Sequence, residues 1–360
     1  MNNHIFGDEL MIIIEQKNEW DYYLNTYFKE QKDVYNEYNY YKLYSDNFNI
    51  NFEAIFWEDE NLQLFWPHLI RDIKRVVFLN EDYYDLTSPY GYCGPHLNVL
   101  NARTGESLKK FSEIYRNYIL NKKYLCEFIR FNPLLNNWEH LTDLMDLKYL
   151  NDIVVVDLTN SLYNIEKNIN KGHRYNIKKT LRSNCNIEIF EKPCKEEIEE
   201  FITLYYATMK RNKAAPKYYF TNKFIKDHFN LLNTVLIRAK KNEETISSSI
   251  FLLGNKFLHY HLSGRTDNNK GLFPTDLIIW EAIKWGKNKN LQHLNLGGGI
   301  NQNDTLFKYK KGFSNTVKKN YIGSKIFNLE KYNEISIMKK CESNKNTFFP
   351  AYRRDIDSIV

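Results

Sequence analysis

Three strand-like segments follow one another in the second half of the chain, with only short turns between them. They are residues 234–239, 245–253 and 256–264. Helical spacing of apolar side chains flanks this run on both sides, at residues 196–211, 220–232 and 275–288. Residues 291–296 then predict one more strand. Helices before and after a run of antiparallel strands predict an α/β (α+β) domain, in which helices flank a mixed, mostly antiparallel sheet.

The first half shows a similar order of elements. Its predicted strands are residues 11–15, 52–57, 62–66, 75–79, 124–131 and 152–157, and its predicted helices are residues 19–32 and 106–120. A chain of 360 residues is long enough for two such domains. We therefore expect one domain at residues 1–157, a second at 158–328, and a tail at 329–360 that packs back on the first domain.

Composition narrows the class of protein. Hydrophobic residues make up 43% of the chain and charged residues 26%, which is typical of a globular protein. The net charge of +6 suits a polyanionic small substrate such as a nucleotide or coenzyme A, and it also suits RNA. The five cysteines are scattered without CxxC spacing, so neither a zinc site nor a disulfide framework is expected. The sequence offers no signal peptide and no apolar run of the roughly 20 residues that span a membrane, so we expect a cytoplasmic protein.

The loop at residues 263–275 joins a predicted strand to a predicted helix and carries side chains suited to phosphate. Its candidate ligand-binding residues are Ser263, Gly264, Arg265, Lys270, Gly271 and Thr275. The start of a helix offers unpaired N–H groups and a partial positive charge, both of which attract phosphate. The loop has neither a P-loop nor a GxGxxG pattern. From the residues alone, an ordinary strand–loop–helix connection with Thr275 as N-cap therefore stays open.

Three consecutive glycines, residues 297–299, follow the last predicted strand of the second half. Glycine permits backbone conformations that other residues avoid, so a ligand can approach the main chain closely here. Asp304 or Thr305 is placed to cap a short helix at residues 305–312, and three lysines follow: Lys308, Lys310 and Lys311. A binding site for an anionic group and a glycine turn with solvated lysines are both consistent with this pattern.

Two histidines, His259 and His261, lie two residues apart on a predicted strand and therefore share a face. One of them is a candidate catalytic base or substrate ligand, and core packing is the alternative. No third ligand stands at a metal-like spacing, so no metal is expected. The basic stretch at residues 162–184, which includes His173, predicts a helix whose charged face is either solvated or in contact with phosphate.

Four stretches, taken in order, resemble a known family. They are Ser88-Pro-Tyr-Gly-Tyr-Cys-Gly-Pro95, residues 205–211 ending in Thr-Met-Lys-Arg, residues 262–277 with Ser-Gly-Arg and Phe-Pro-Thr-Asp-Leu, and residues 295–313 with Gly-Gly-Gly and Leu-Phe-Lys. The second half is similar to the GCN5-related N-acetyltransferase (GNAT) fold. The whole chain resembles the FemAB/FemX-like proteins, which carry two GNAT folds in tandem, and among them it is most similar to the nucleotide-sugar N-acyltransferase FdhC.

The resemblance implies an acyltransferase with a divided site. Residues 263–275 would hold the pyrophosphate of coenzyme A. Lys308 would stabilise the developing oxyanion, and the base would be His261, His96 or Asp304. The acceptor would lie between the halves, near residues that the resemblance assigns to substrate binding: Tyr90, Tyr92, His96, Arg211 and Gly298.

Two activities share the tandem fold. We favour transfer of an acyl group from acyl-coenzyme A to the amine of a nucleotide-linked amino sugar, such as a dTDP-sugar, for the O-antigen of lipopolysaccharide or for a capsule. The alternative is FemX-like transfer of an amino acid from aminoacyl-tRNA to a peptidoglycan precursor, and only this alternative needs a nucleic-acid partner. The first is favoured because the chain lacks a long coiled-coil arm and a strongly basic, tRNA-sized patch. A non-catalytic carbohydrate- or nucleotide-binding protein is the third hypothesis.

Overall fold

The computed structural model of this chain describes residues 2–6, 9–267, 271–301, 303–341 and 348–354. Its strands in chain order are β1 (Asn2–Phe6), β2 (Glu9–Ile14), β3 (Asn51–Glu58), β4 (Leu62–Asp72), β5 (Tyr84–Thr87), β6 (His96–Val99), β7 (Tyr124–Arg130), β8 (Asp146–Asp157), β9 (Asn186–Phe190), β10 (Thr234–Lys241), β11 (Glu244–Leu253), β12 (Phe257–Arg265), β13 (His293–Gly297) and β14 (Val317–Ile326).

The helices alternate with these strands. They are α1 (Lys17–Tyr27), α2 (Tyr38–Phe48), α3 (Thr104–Asn121), α4 (Leu162–Asn168), α5 (Lys171–Leu181), α6 (Lys195–Arg211), α7 (Asn222–Leu231), α8 (Pro274–Asn288), α9 (Thr305–Lys311) and α10 (Leu329–Met338). Short 3₁₀ helices lie at Val34–Asn36, Ile73–Arg75, Pro216–Tyr218 and Ala351–Arg353. The three consecutive strands predicted in the second half are confirmed as β10, β11 and β12.

The described residues divide into two compact units. Unit 1 contains the residues up to Leu150 and those from Asn320 onward. Its strands pair in the order β1-β2-β3-β4-β5-β7-β14, and β6 pairs with the other end of β4. These neighbours are antiparallel except β5 and β7, which are parallel. Helix α3 packs on this sheet around a core that includes Trp57, Trp66 and Phe111.

Unit 2 contains residues 151–319. Its strands pair in the order β9-β10-β11-β12-β13-β8, all antiparallel except β12 and β13. Val235 and Ile237 of β10 join the core beneath α8, while α6 packs against β12. The predicted architecture, a mixed and mostly antiparallel sheet flanked by helices, is confirmed in each unit.

The two units repeat one order of elements. In unit 1, helices α1 and α2 precede the antiparallel strands β3, β4 and β5, after which α3 leads to β7. In unit 2, helices α6 and α7 precede β10, β11 and β12, after which α8 leads to β13. Parallel neighbours need a crossover connection, and a helix supplies it in both units. The similar order seen in the two halves of the sequence is therefore a structural repeat.

The division between units differs from the predicted domain boundaries. It falls at 150/151 inside β8 and at 319/320 inside β14, rather than after residues 157 and 328. The prediction ended the first domain where an apolar strand ends. However, residues 154–157 of that strand pair with β13 and so belong to the sheet of unit 2. Residues 322–326 of β14 pair with β7 in unit 1.

Residues near the C-terminus pack within unit 1. The buried carboxylate of Asp85 accepts hydrogen bonds from Tyr352 Oη at 3.0 Å and from Arg353 Nε at 2.7 Å. Its other oxygen accepts from Arg71 Nε at 2.6 Å. Two buried guanidinium groups share this one carboxylate, so removing Asp85 would leave both charges without their partner, and the cluster holds the segment firmly.

Two predicted elements differ in detail. The helix predicted at residues 162–184 is two helices, α4 and α5, because the chain is extended at Ile169 and Asn170. The Asn170 side chain caps α5 by accepting from the N–H of His173 at 2.8 Å. The strand predicted at residues 75–79 is instead the end of a 3₁₀ helix followed by loop, and Asp72 caps that helix.

Candidate functional site

Strands β12 and β13 separate after a short stretch of pairing. They pair only from Phe257 to His259 on β12 and from His293 to Asn295 on β13. β12 then continues to Arg265, well beyond the last paired residue. We call residues 260–265 and 296–299 the fork. Backbone groups that leave a ladder must find other partners, and a crevice past the carboxyl ends of parallel strands is a common place for ligands.

His261 lies at the beginning of the fork and interrupts the register of β12. Ile250 of β11 faces Leu262 and Phe251 faces Tyr260, so His261 is an extra residue without a partner on β11. This is a β-bulge, a feature that commonly re-aims a side chain next to an active site. The ring of His261 is half-buried, and its Nε2 lies 3.0 Å from Nε2 of His228 on α7.

The hydrogen bonds of His228 determine the tautomer of His261. His228 is fully buried, and its Nδ1 lies 2.8 Å from the carbonyl oxygen of Phe224, so Nδ1 carries a proton. Burial lowers the pKa of His228 to about 4, which keeps the ring neutral and leaves Nε2 as an acceptor. His261 must then donate from Nε2, and its Nδ1 holds a free lone pair. Burial, followed by the neighbouring His228 and His259, lowers the pKa of His261 well below its usual value. At neutral pH, His261 is an uncharged imidazole able to accept a proton at Nδ1.

His259, the other histidine of the pair, has a structural position. It is buried, and its Nδ1 lies 3.2 Å from the side-chain amide of Asn295 on β13. This contact joins the two strands at the last paired residue, directly before the fork opens. Asn295 also accepts from the N–H of Gly297 at 2.7 Å, which ties the strand end to the glycine turn.

The glycine turn at residues 297–299 needs glycine for packing. Gly297 has φ +75°, which disfavours any residue with a side chain. A Cβ on Gly298 would lie 2.8 Å from the backbone oxygen of Asp152, and one on Gly299 would lie 2.1 Å from an oxygen of Asp304. Close approach within the unit therefore accounts for these glycines without a ligand.

Asp304 caps α9. Its carboxylate accepts from the N–H of Phe307 at 2.8 Å, of Ile300 at 2.7 Å and of Asn301 at 3.0 Å. These backbone hydrogen bonds lower the pKa of Asp304. A carboxylate committed in this way is a weak base, so among the predicted base candidates the geometry favours His261.

The lysines of α9 divide into exposed and buried side chains. Lys308 is exposed, and among the described residues its ammonium makes no ion pair or hydrogen bond. Lys310 is buried, and its Nζ donates to the carbonyl oxygen of Gly298 at 2.8 Å. Burial lowers the pKa of Lys310 to about 8. The residue types alone do not separate these lysines, although Phe307 and Lys310 lie three residues apart and hence on one helix face.

A buried carboxylate that the sequence analysis missed connects three helices of unit 2. Asp276, in the first turn of α8, accepts from His173 Nδ1 at 2.7 Å, from Asn176 Nδ2 at 2.8 Å and from Tyr309 Oη at 2.8 Å. His173 Nε2 lies 3.0 Å from the carbonyl oxygen of Tyr309, and the ring stacks on Phe313. Both ring nitrogens thus face oxygen acceptors. His173 belongs to a basic stretch of the sequence, but in the structure it is part of this buried network.

Helix α8 begins at Pro274, one residue before the predicted N-cap Thr275. Phe273 is the N-cap residue and offers no side-chain cap, and its own N–H donates to Thr180 Oγ1 at 3.0 Å. The N–H groups of Asp276 and Leu277 donate to the carbonyl of Phe273 at 3.1 and 3.3 Å. Proline has no N–H, so among the described residues of this first turn only the N–H of Thr275 is open to a ligand.

The remaining residues of the predicted phosphate loop have mixed surroundings. Gly271 has φ +74°, and a Cβ there would lie 3.4 Å from Nζ of the exposed Lys179 on α5. Lys270 lies outside the described residues. Ser263 Oγ lies 3.0 Å from Ser249 Oγ on the neighbouring strand. A Cβ on Gly264 would lie 2.5 Å from the α6 backbone, so this glycine is required by helix packing.

Arg265 and Arg211 lie where β12 meets the C-terminal end of α6. Arg265 is exposed, and its backbone N–H donates to Thr208 Oγ1 at 2.9 Å. Arg211 donates to the carbonyl oxygen of Arg265 at 3.2 Å and forms an ion pair with Asp267. The fork of unit 2 therefore ends between an exposed arginine and an arginine that is already paired.

The three predicted substrate-binding residues of the first half lie together in unit 1. The carbonyl oxygen of Tyr90 accepts from Tyr40 Oη at 2.5 Å. The half-buried ring of Tyr92 packs edge-on against Tyr35 at 5.6 Å between centroids. His96 is fully buried, and burial lowers its pKa to about 4. His96 packs among aromatic rings, whereas Arg211 and Gly298 belong to unit 2.

Comparison with known proteins identifies a domain and a fold. Residues 170–311 match the family described as "Acetyltransferase (GNAT) domain", and this stretch lies within unit 2. The fold is similar to the crystal structure of FemX, with a TM-score of 0.66 and 10% identity over 93% of this chain and 100% of that chain. No curated protein matches the chain by sequence.

Two further solved structures have a similar fold. One is L-PGS from Bacillus licheniformis, with a TM-score of 0.54 and 12% identity over 89% of this chain and 93% of that chain. The other is the C-terminal domain of a putative lysylphosphatidylglycerol synthetase from Agrobacterium fabrum, with a TM-score of 0.52 and 13% identity over 90% of this chain and 96% of that chain. Together with the repeat of elements, these similarities identify the fold as two tandem GNAT-like domains.

Two features are absent from the described residues. None of the helices there combines the length and the apolar character needed to cross a bilayer. Within the same ranges, no three His, Cys, Asp or Glu side chains are grouped as the ligands of a metal ion would be.

Proposed function

We propose that this chain is an N-acyltransferase that moves an acyl group from acyl-coenzyme A to the amine of a nucleotide-linked amino sugar. The observation that carries the proposal is the fork of unit 2, where a parallel strand pair opens directly after His259 and presents the bulged His261. The GNAT match supports it, because residues 170–311 include β12, α8 and β13.

The donor is expected to bind along the fork. Backbone groups of residues 260–265 would hydrogen-bond the arm and thioester of coenzyme A, since a polar backbone edge without a strand partner needs other partners. The N–H of Thr275 and the ammonium of Lys179 would meet its phosphates. Lys270 and Arg265 remain candidates for the same role.

The reaction is an attack of the neutral amine on the thioester carbonyl carbon. A C–N bond forms, the C–S bond breaks, and coenzyme A leaves as a thiolate that takes up a proton. Nδ1 of His261 accepts the proton that the attacking nitrogen loses. A base of modest strength is sufficient, because sugar amines titrate near neutral pH. Lys308, whose ammonium is exposed and unpaired among the described residues, is proposed to stabilise the oxyanion.

The acceptor class comes from the resemblance of the sequence. A nucleotide-linked amino sugar offers both an amine and a diphosphate, and the net charge of +6 favours such an anion. We place the activity in the synthesis of a surface polysaccharide, an O-antigen or capsule. The residues of unit 2 proposed to contact the acceptor are Arg211 and Gly298.

A second candidate is FemX-like transfer of an amino acid from aminoacyl-tRNA to a peptidoglycan precursor. Two observations favour it. The fold is similar to that of FemX, and the first turn of α8 leaves only the N–H of Thr275 open among the described residues, which is little for a diphosphate. The basic residues Lys171, Lys178, Lys179 and Arg182 of the α5 region are exposed and would meet a nucleic-acid backbone.

One experiment separates the candidates. The purified chain is incubated with acetyl-coenzyme A and longer acyl-coenzyme A donors, together with a panel of amino-sugar nucleotides, and free thiol is measured. We expect thiol release that requires the amino sugar. No thiol release, with transfer of label from charged tRNA to a peptidoglycan precursor, would replace the first proposal by the second. Inactivity with both donors would support a non-catalytic binding protein.

The role of Lys308 has its own test. Lys308→Ala is expected to lower kcat by about 100-fold, as the loss of an oxyanion donor does. Lys311→Ala is the matched control, because Lys311 is exposed on the same helix and packs over Phe307. Turnover within about threefold of the unmodified enzyme, less than about 1 kcal/mol, would remove Lys308 from the mechanism.

A further inference from the structure

A cavity of about 300 Å³ lies within unit 1. Helix α3, strands β7 and β14 and the loop before β8 surround it. The lining residues used below are Trp66, Tyr115, Arg116, Glu127, Lys325 and Phe327. A volume of this order accommodates a small metabolite. The cavity lies in a different unit from the fork, and the proposed acyl transfer makes no use of it.

The cavity contains a buried carboxylate. Glu127 on β7 is 1% exposed. Its Oε1 accepts from Trp66 Nε1 at 2.7 Å and its Oε2 accepts from Tyr115 Oη at 2.9 Å. Each carboxylate oxygen has two lone pairs, so both oxygens retain capacity for another donor. Burial raises the pKa of Glu127, because the charged form loses its contact with water.

The groups behind Glu127 supply too little positive charge. His68 Nε2 lies 3.0 Å from Glu53 Oε1, and Glu53 also accepts from Tyr118 Oη at 2.7 Å. His68 Nδ1 is buried, has no hydrogen-bond partner and is 3.9 Å from Glu127 Oε1, which is too far for a hydrogen bond. Two buried carboxylates thus share a single imidazole. A buried carboxylate without a charged partner is costly, so the cluster favours a cation at Glu127.

Two cations line the same cavity, and one of them, Lys325, stands opposite Glu127 in the register of β7 and β14. Arg116 on α3 is exposed and Lys325 on β14 is half-buried. Neither makes an ion pair with any residue that the structure describes. The cavity therefore offers a carboxylate that needs a cation and two cations that are open to an anion. The apolar Leu144, Met145 and Phe327 complete the lining.

We propose that this cavity binds a small zwitterion, a free α-amino acid with an apolar side chain, through its ammonium group on Glu127 and its carboxylate on Arg116 and Lys325. The ammonium donates to the free lone pairs of Glu127 and places a positive charge beside the buried carboxylate. Hydrogen bonds between charged partners are the strong ones, and the apolar lining accommodates the side chain. A simple amine or a simple acid meets only half of these groups.

Three related probes test the two halves of this recognition on the full chain. L-Leucine, L-leucinamide without the carboxylate, and N-acetyl-L-leucine without the ammonium are titrated into the protein by calorimetry. We expect L-leucine to bind, L-leucinamide to bind about tenfold more weakly, and N-acetyl-L-leucine to show no binding. Absence of binding by L-leucine at millimolar concentration, or equal binding by N-acetyl-L-leucine, overturns the proposal.

Variants locate the binding in this cavity. Glu127→Gln keeps the size of the side chain and is expected to weaken L-leucine binding by at least tenfold. Glu113→Gln, at an exposed position of α3, is the matched control and should leave binding unchanged. Lys325→Met, at the half-buried position opposite Glu127, is expected to weaken L-leucine but not L-leucinamide. This third variant decides the matter if Glu127→Gln does not fold. Unchanged binding in Lys325→Met contradicts the assignment.

Discussion

The two units differ at the same place in the fold, where the third antiparallel strand meets its parallel neighbour. In unit 2, β12 and β13 pair over three residues and then separate, and a single extra residue, His261, interrupts β12. In unit 1, the corresponding strand is broken in two. Residues 88–95, between β5 and β6, span a distance that Trp66–His68 cover on β4. One unit has a one-residue bulge, and the other has a long loop.

The loop of unit 1 closes the junction that is open in unit 2. The N–H of Ser88 donates to Phe128 O and that of Cys93 donates to Arg130 O, so the loop continues the pairing with β7. Its carbonyl groups are held by buried side chains: Asn36 donates to Gly94 O at 2.6 Å, and Asn137 donates to Cys93 O at 2.9 Å. A closed edge leaves no backbone for a donor. The comparison therefore places the proposed acyl transfer in unit 2 and gives the Ser-Pro-Tyr-Gly motif a structural part in unit 1.

The largest effect is expected for Asp276, whose side-chain hydrogen bonds connect three helices of unit 2. Asp276→Ala removes the acceptor of His173, Asn176 and Tyr309 and leaves a buried ring without its partner. We expect a loss of about 3–5 kcal/mol in the free energy of unfolding, measured by urea denaturation. Glu166→Ala removes an exposed pair with Lys178 and should cost less than about 1 kcal/mol. Equal losses would show that Asp276 is not the hub of unit 2.

The bulge of unit 2 is expected to matter for activity rather than stability. His261→Ala should lower kcat by about 100-fold, as the loss of a general base does, while His140→Ala, at an exposed position of unit 1, should have no effect. The pKa of His261 lies well below its usual value. The base is therefore unprotonated at neutral pH, and its own protonation should lower kcat/KM only below pH 6.5. Protonation of the acceptor amine lowers kcat/KM near neutral pH in the enzyme and in His261→Ala alike. The same acid dependence in both proteins, or full activity in His261→Ala, would exclude His261.

The loop of unit 1 is expected to matter for stability rather than activity. Gly94 has φ +92°, and a Cβ there would lie 2.9 Å from Asn137 Nδ2 and from the ring of Phe131. Gly94→Ala should therefore cost about 2 kcal/mol in the free energy of unfolding. Gly105→Ala, in the first turn of α3 with open space around it, should be neutral or stabilise by less than about 1 kcal/mol. If Gly94→Ala were as stable as the control, the loop would not be the rigid closure described above.

The smallest effect concerns the glycine turn beside the fork and is best seen as a pH dependence. Burial lowers the pKa of Lys310 from 10.5 to about 8. Between these values the unfolded chain binds more protons than the folded chain, so stability rises with pH in this window. Lys310→Met should abolish this rise in denaturation experiments at pH 8 to 10, and the exposed Lys308→Met should retain it. An unchanged rise in Lys310→Met would mean that another group titrates.

Much of the fold followed from local patterns in the sequence. The strands β10, β11 and β12 and the helices on either side were predicted because apolar residues recur with the period of each element. The division into units was predicted less well. In the sequence, strand β8 looks like the last element of the first half, but residues 154–157 pair with β13. Pairing between segments that are distant in sequence produces no local sequence pattern, so this boundary could not be predicted.

The candidate site shows the same limit. The sequence identified His261, the glycine turn and the lysines of α9 as candidates by residue type. It did not identify His228, 33 positions before His261, as the residue that determines the tautomer. It also missed Asp276, because one carboxylate in the first turn of a helix is an ordinary feature of sequences.

By itself, then, the sequence determined the order and type of the elements, the tandem GNAT resemblance and the residue types available for acyl transfer. Only the tertiary structure decided which junction is open, which lysine is buried and which nitrogen of His261 is free. The physical reason is that periodicity and capping act over a few residues. Burial, strand separation and hydrogen bonds between histidines depend on segments that the fold brings together.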